Sequence, residues 1–161
     1  MKGLFVMKRI NFVSLLLAGI MLICAACGSS SAKEVELAPL MEEILAVAPI
    51  DDVLVLGESD MLDFYGIKAD QMKQFSAALN MNGISAQEIV LVQAIDDTTA
   101  QEIAVKLSNR LSSRMAESEN YLPDEFAIIS ECEVSQSGSY CRLIIHANAK
   151  EAITIYNNAF K

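Results

Sequence analysis

Glu88-Ile89-Val90-Leu91-Val92-Gln93-Ala94-Ile95 carries apolar side chains at both odd and even positions. Successive strand residues point to opposite faces, so a strand with this pattern belongs in the middle of a covered sheet. Ahead of it, Phe75, Ala77, Leu79 and Met81 alternate with Gln74, Ser76, Ala78 and Asn80 from Lys73 to Met81, the period of a half-buried strand, and Asn82-Gly83 turns that strand into the central one. Behind it, Asp96-Asp97-Thr98 offers an N-cap to a long helix whose stripe is Ala100, Ile103, Ala104, Leu107, Leu111 and Met115, ending near Glu119. Two further strands are predicted over Phe126 to Ser135 and Ser139 to Ala147, hinged at Gln136-Ser137-Gly138. Asn148 then caps a last helix with Ala152, Ile155, Tyr156 and Ala159 near its inner face.

The stretch before this core reads as helix over Val35 to Ala48, with Leu37, Met41, Ile44, Leu45 and Ala48 at helical spacing, Pro39 in the first turn and Pro49 ending it. A shorter helix fits Asp60 to Tyr65, with Ser59 as N-cap and Gly66 past its end. The order α, short α, then ββα twice predicts an α+β fold: a four-stranded antiparallel sheet with helices packed on a face.

At the other end of the chain, Lys2, Lys8 and Arg9 precede an apolar run from Ile10 to Ile23, and small residues follow it. This is the plan of an export signal, with Met1 or Met7 as its start. The run is shorter than the roughly 20 residues of a spanning helix and lacks a basic flank on its far side. Cys24-Ala25-Ala26-Cys27-Gly28 resembles the lipobox of bacterial lipoproteins, except that Cys24 stands where a leucine is usual. That resemblance implies cleavage after Ala26 and a diacylglyceryl group on the Cys27 thiol, later joined by a fatty acyl chain such as palmitate. Cleavage at the same bond without lipid is the alternative, but only two acyl chains give stable anchoring.

The expected organisation is a signal peptide over 1–26, the lipid-attachment cysteine with a flexible tether over 27–33, and one domain over 34–161. Removing the signal leaves nine basic against twenty-one acidic residues, a net charge of −12. Such a surface excludes nucleic acid and anionic lipid headgroups as partners, since both need basic patches.

Candidate chemistry is sparse. Asp51, Asp52, Glu58, Asp60 and Asp63 put five carboxylates in thirteen residues, yet Val53-Leu54-Val55-Leu56 intervenes where calcium ligands would alternate, so a solvated acidic connection or a surface ligand site is expected rather than a metal centre. Cys132 and Cys141 fall on one face of the expected hairpin and could form a cross-strand disulfide outside the cytoplasm, or serve as reduced core residues. Gly57-Glu58-Ser59-Asp60-Met61 begins like a nucleophile elbow but lacks the closing glycine. His146 is the only histidine. Ser30 and Lys33 have the spacing of a serine–lysine pair, but a floppy tether cannot hold attack geometry. No cofactor is expected.

Glu88-Ile-Val-Leu-Val, the helix reaching Arg110, Tyr121-Leu-Pro-Asp-Glu-Phe-Ala-Ile-Ile, Gly138-Ser-Tyr140 and Tyr65-Gly66-Ile67 together resemble an uncharacterised family of small lipoproteins of Gram-positive Firmicutes, a domain of unknown function. The resemblance implies attachment to the outer face of the cell membrane and carries no catalytic or binding residues. Two function classes follow. One is a non-enzymatic envelope lipoprotein whose sheet face or segment 50–72 docks an envelope protein or a cell-wall component. The other is a small envelope hydrolase using the acidic segment 51–63 with His146. The absence of a nucleophile–base pair favours the first, and two hinged lobes of a solute receptor need far more than 135 residues.

Overall fold

The computed structural model describes residues 33–161, so Cys27, Ser30 and the leader lie outside the described residues. Helix α1 (Leu37–Val47) is followed by strand β1 (Val53–Val55), helix α2 (Glu58–Tyr65), a 3-10 turn (Ala69–Gln71), and strands β2 (Met72–Asn80) and β3 (Glu88–Ala94). Helices α3 (Asp97–Ser118) and α4 (Pro123–Ser130), strands β4 (Val134–Ser137) and β5 (Tyr140–Ile145), and helix α5 (Ala149–Ala159) complete it. The fold is α+β. Its single described sheet has the order β1-β2-β3-β5-β4 and is antiparallel throughout.

β3 is the central strand, as its two-sided apolar pattern requires, and every residue in it is buried. Its odd positions Ile89 and Leu91 join a cluster with Leu40, Met41 and Ile44 of α1 and Ala152 and Tyr156 of α5. Its even positions Val90, Val92 and Ala94 join Met61 and Tyr65 of α2, Ala100, Ile103 and Leu107 of α3, and Ile129 of α4. Helices therefore cover both faces of the sheet, not one. For the same reason β2 is buried on both sides toward Asn80 rather than alternating throughout.

The sheet has five strands where the sequence predicts four. β1 is only three residues long and gains its hydrogen bonds from a remote partner, with Val53 opposite Asn80 and Val55 opposite Ala78. Three residues are too few to establish a period of two. The strand expected over Phe126 to Ser135 is also corrected, since most of it is α4. Pro123 occupies the first helical turn, where its missing N–H costs nothing, Asp124 and Glu125 complement the helix N-terminus, and only Ile129 is fully buried. Strand begins at Val134, and its register sets Ser135 opposite Arg142 and Gln136 opposite Cys141.

Local chemistry sets the element ends. Asp60 Oδ2 accepts from the Gly57 N–H at 2.8 Å, so α2 starts at Glu58 with Gly57 as N-cap, and Ser59 lies inside it. Gly66 closes α2 in the left-handed region, φ +65°, where a side chain would be strained. Asp96 Oδ1 accepts from the Thr99 N–H at 2.7 Å and caps α3 as expected. Asn82 Oδ1 accepts from the N–H groups of Ile84 and Ser85, shaping the turn between β2 and β3. Asn148 is at the N-cap position of α5, but its Nδ2 donates to the Val47 carbonyl at 2.8 Å and ties α5 to the end of α1.

The segment entering α1 is sewn to the sheet. The Val35 N–H donates to Tyr140 Oη at 3.0 Å and the Leu37 N–H to Gln74 Oε1 at 2.9 Å. Gln74 Nε2 in turn donates to the Val35 carbonyl at 2.9 Å and to Gln93 Oε1 at 2.7 Å.

The two faces of α3 give a direct test of this packing. Ile103 is fully buried and Val105 is exposed. Ile103→Ala is expected to lower unfolding free energy in urea by about 2–5 kcal/mol, and Val105→Ala to change it by no more than about 0.5 kcal/mol. Equal losses would mean that α3 does not pack by this face.

Candidate functional site

The five carboxylates of segment 51–63 are spread rather than gathered. Asp51 and Asp52 sit in the turn before β1, and Glu58, Asp60 and Asp63 lie on α2. Asp60 is engaged by the Gly57 N–H. The Asp51 backbone is held by Asn80 and Gln87. Among the described residues no group of three or more His, Cys, Asp or Glu side chains is placed to hold a metal ion.

His146, just past β5, is buried and fully engaged. Its Nε2 faces the Pro49 carbonyl at 3.0 Å, and its Nδ1 accepts from the Asn148 N–H at 2.9 Å. Those partners assign the neutral Nε2–H tautomer and leave no ring nitrogen for a substrate. A cavity of about 280 Å³ adjoins His146, lined by Ile128, Glu131, Cys132, Lys150 and Ile153 among others, and none of the five carboxylates reaches it.

Cys132 and Cys141 are both free thiols. They share the α2–α4 side of the sheet, as expected, but they are not cross-strand partners: Cys132 precedes β4, and Cys141 stands opposite Gln136. Each thiol donates to a different helix carbonyl, Cys132 Sγ to Ile128 at 3.2 Å and Cys141 Sγ to Ala100 at 3.1 Å. The cross-strand pairing that a hairpin disulfide would need is absent because the chain turns out of α4 at Cys132, and both thiols take the places of reduced core residues. Burial pushes the Cys132 thiol upward and the Cys141 thiol up to about 11.

What the structure does assemble is a buried ionic cluster. Glu88 opens β3 with no exposed surface. Arg110 of α3 donates to it through Nε, at 3.1 and 3.2 Å, and through Nη2 at 2.8 Å. Arg114, one turn further on, brings Nε to 3.9 Å from the same carboxylate, while its other nitrogens donate to Glu117 and to the Ser85 carbonyl. The end of α2 completes the group, with the rings of Tyr65 and Phe64 lying 5.6 and 6.0 Å from the Arg110 guanidinium carbon.

Two buried donors in this cluster, Tyr65 Oη and Arg114 Nε, have no hydrogen-bond partner. Burial first, and the charge of Glu88 second, push the Tyr65 phenol far above its ordinary value. For Arg110, burial opposes the charge, but the hydrogen bonds and charge of Glu88 outweigh it, and the guanidinium is held more firmly protonated. Outside the cluster lies an open depression of about 340 Å³ lined by Phe64, Tyr65, Lys106, Asn109, Arg110 and others. Lys106 is committed there to the Gly66 carbonyl and Gln71 Oε1. The arrangement contains no nucleophile. Its chemical role is to lock α2 against α3 and the sheet.

Sequence reasoning passed over this cluster, reading Glu88 only as the first residue of a strand. The available signal was the carboxylate itself, because an acid opening a strand apolar on both faces needs a buried cation. The choice of Arg110 and Arg114 depends on how α3 crosses the sheet.

Residues 50–146 match the family model described as Domain of unknown function (DUF4358). No curated protein and no solved structure matches the chain. The matched stretch holds all five strands, α2 to α4 and the Glu88 cluster, and leaves α1 and α5 outside.

Truncating one member of the cluster strands the others. Glu88→Ala is expected to cost about 3–5 kcal/mol in urea unfolding. Adding Arg110→Met to it should cost much less than the sum of the two single losses, and additive losses would mean that the pair is not coupled. Since Tyr65 and Tyr156 both have raised phenol pKa values in the fold, they ionise more readily on unfolding. Stability is then intact below about pH 10, the unfolded phenol value, and falls as pH rises beyond it. Tyr65→Phe should flatten that alkaline decline in chemical-denaturation curves, and an unchanged slope would refute the assignment.

Proposed function

The chain belongs to the DUF4358 family, a domain of unknown function, and from that premise we propose that it is a lipid-anchored extracytoplasmic protein whose domain acts as a binding module of the cell envelope. The basic start, the apolar run and Cys27 support export and acylation, and the finer reading as a small lipoprotein of Gram-positive Firmicutes rests on the resemblance carried by Tyr65-Gly66-Ile67, Glu88 to Val92, the helix reaching Arg110, Tyr121 to Ile129 and Gly138-Ser139-Tyr140. Cleavage after Ala26 leaves six residues, 28–33, as tether. Fully extended, they span about 20 Å. Among the described residues no helix is long and apolar enough to cross a membrane.

The observation that carries the binding reading is the surface of segment 50–72. Val53, Val55, Leu62 and Phe64 are all exposed there, four of the nine exposed large apolar side chains of the described residues, and acidic residues are interspersed with them along the chain. Exposed apolar side chains concentrated in one segment with a polar surround mark an interaction site. This segment is also held rigid, since β1 is hydrogen-bonded to β2 and α2 is locked by the Glu88 cluster. A preformed surface loses less conformational entropy on binding. The hydrolase alternative loses support from His146, whose nitrogens are both engaged, and from the dispersal of the five carboxylates.

Three measurements test the proposal. In cells fed labelled palmitate, the protein should carry the label and fractionate with membranes, and Cys27→Ala should abolish the label. An unmodified N-terminus by mass spectrometry would overturn the anchor. A photo-crosslinking residue at position 55 or 64 should trap one reproducible envelope neighbour on intact cells, where the same probe at Lys150 does not. Equal yields at the three positions would overturn the docking surface.

A further inference from the structure

Arg142 lies in the middle of β5, opposite Leu91 on one side and Ser135 on the other. By its parity it belongs to the α1 and α5 face, where its guanidinium carbon sits 5.5 Å from the Tyr156 ring centre. The side chain is only 5% exposed, yet its Nε and Nη1 have no hydrogen-bond partner. The nearest carboxylate is Glu133, 3.9 Å from Nη2 and 75% exposed, too distant and too solvated to replace what burial removes.

The contrast with Arg110 is informative, because that guanidinium makes three hydrogen bonds to a carboxylate buried with it. The other orphaned donors of the described residues, Tyr65 Oη and Arg114 Nε, belong to the Glu88 cluster and so lie beside a buried acceptor. Arg142 has none. A desolvated guanidinium without an acceptor is a costly arrangement, and an unsatisfied buried donor in a native fold calls for a missing partner.

We propose that Arg142 is the anchor of a carboxylate-binding site at the β4 edge of the sheet. Among the described residues β4 pairs only with β5, so its outer edge carries no strand. Ser135, on the same face as Arg142, and Ser137, beside Tyr140 on that face, are small hydroxyl residues between the arginine and the open edge. Their hydroxyls are potential donors on the face that holds the guanidinium. A planar carboxylate matches a guanidinium edge in a way that a spherical anion does not. The carboxylate comes either from a free small acid or from an acidic side chain on an extended peptide laid along β4, the second source using the unpaired edge as well.

The experiment follows the Arg142 Nε–H resonance of the full-length chain in detergent during titration with acetate, with an extended peptide bearing one glutamate, and with the same peptide bearing glutamine. Sodium chloride at equal ionic strength serves as the reference. A shift with acetate identifies a site open to free acids. A shift with the glutamate peptide alone identifies a strand-borne carboxylate. No shift with either, or an equal shift with the glutamine peptide, overturns the proposal. Arg142→Met should fold with an unchanged or higher Tm and lose the acetate-dependent rise in Tm, and a retained rise would also overturn it. Ser135→Ala, which leaves the core intact, should weaken carboxylate binding roughly tenfold through loss of one hydrogen bond to a charged group.

Discussion

A carboxylate with no exposed surface at the start of the central strand has to be neutralised from elsewhere in the chain, and the placement of α2 and α3 follows from that requirement. Glu88 takes its charge partner from the middle of α3, which fixes how that helix lies along the sheet. Arg110, once committed, presents its guanidinium to Tyr65 and Phe64 and so fixes the end of α2. Hydrophobic burial alone would tolerate several rotations of α3 about its axis, since Ile103, Leu107, Leu111 and Met115 form a broad stripe. The ion pair admits one. Its gain is in specificity of arrangement more than in stability, because desolvating two charges offsets most of their attraction.

The sheet is antiparallel and yet covered on both sides, an arrangement more often met in parallel sheets. The two faces are not equivalent. The family match spans the sheet with its α2 to α4 side, and that side has a continuous cluster built entirely from residues 56–145. The opposite side is closed by α1 and α5, which lie outside the match and are joined to each other by Asn148 and Val47. Arg142 and Tyr156 meet on this second side, so the family-matched stretch supplies the arginine and a helix beyond it supplies the ring.

Much of this was legible in the sequence, and the failures have physical causes. The central strand, the long helix with its Asp96 cap, the Asn82-Gly83 turn and the Gly66 helix end were all readable because each is fixed by local chemistry or by a period sustained over several residues. The segment Phe126 to Ile129 was not, because a short apolar run suits a strand or one turn of helix equally, and Pro123 with its acidic neighbours was the only local vote for helix. β1 was missed because three residues have no measurable period. The buried arginine in the last strand was invisible for a different reason. Alternation across Tyr140 to Ile145 shows which face Arg142 joins, but not that a helix would cover that face.

The hydrogen bonds of Val35, Leu37, Gln74 and Tyr140 have a mechanical meaning. Tension applied to the chain ahead of Val35 does not reach α1 first. It is delivered to β2 and β5, on either side of the central strand, by three short bonds arranged around one turn of backbone. Those two strands are each hydrogen-bonded to β3 along their lengths, so the load spreads across the stiffest part of the sheet. A domain hung by its N-terminal side from a moving surface would thus be pulled through its sheet rather than through α1.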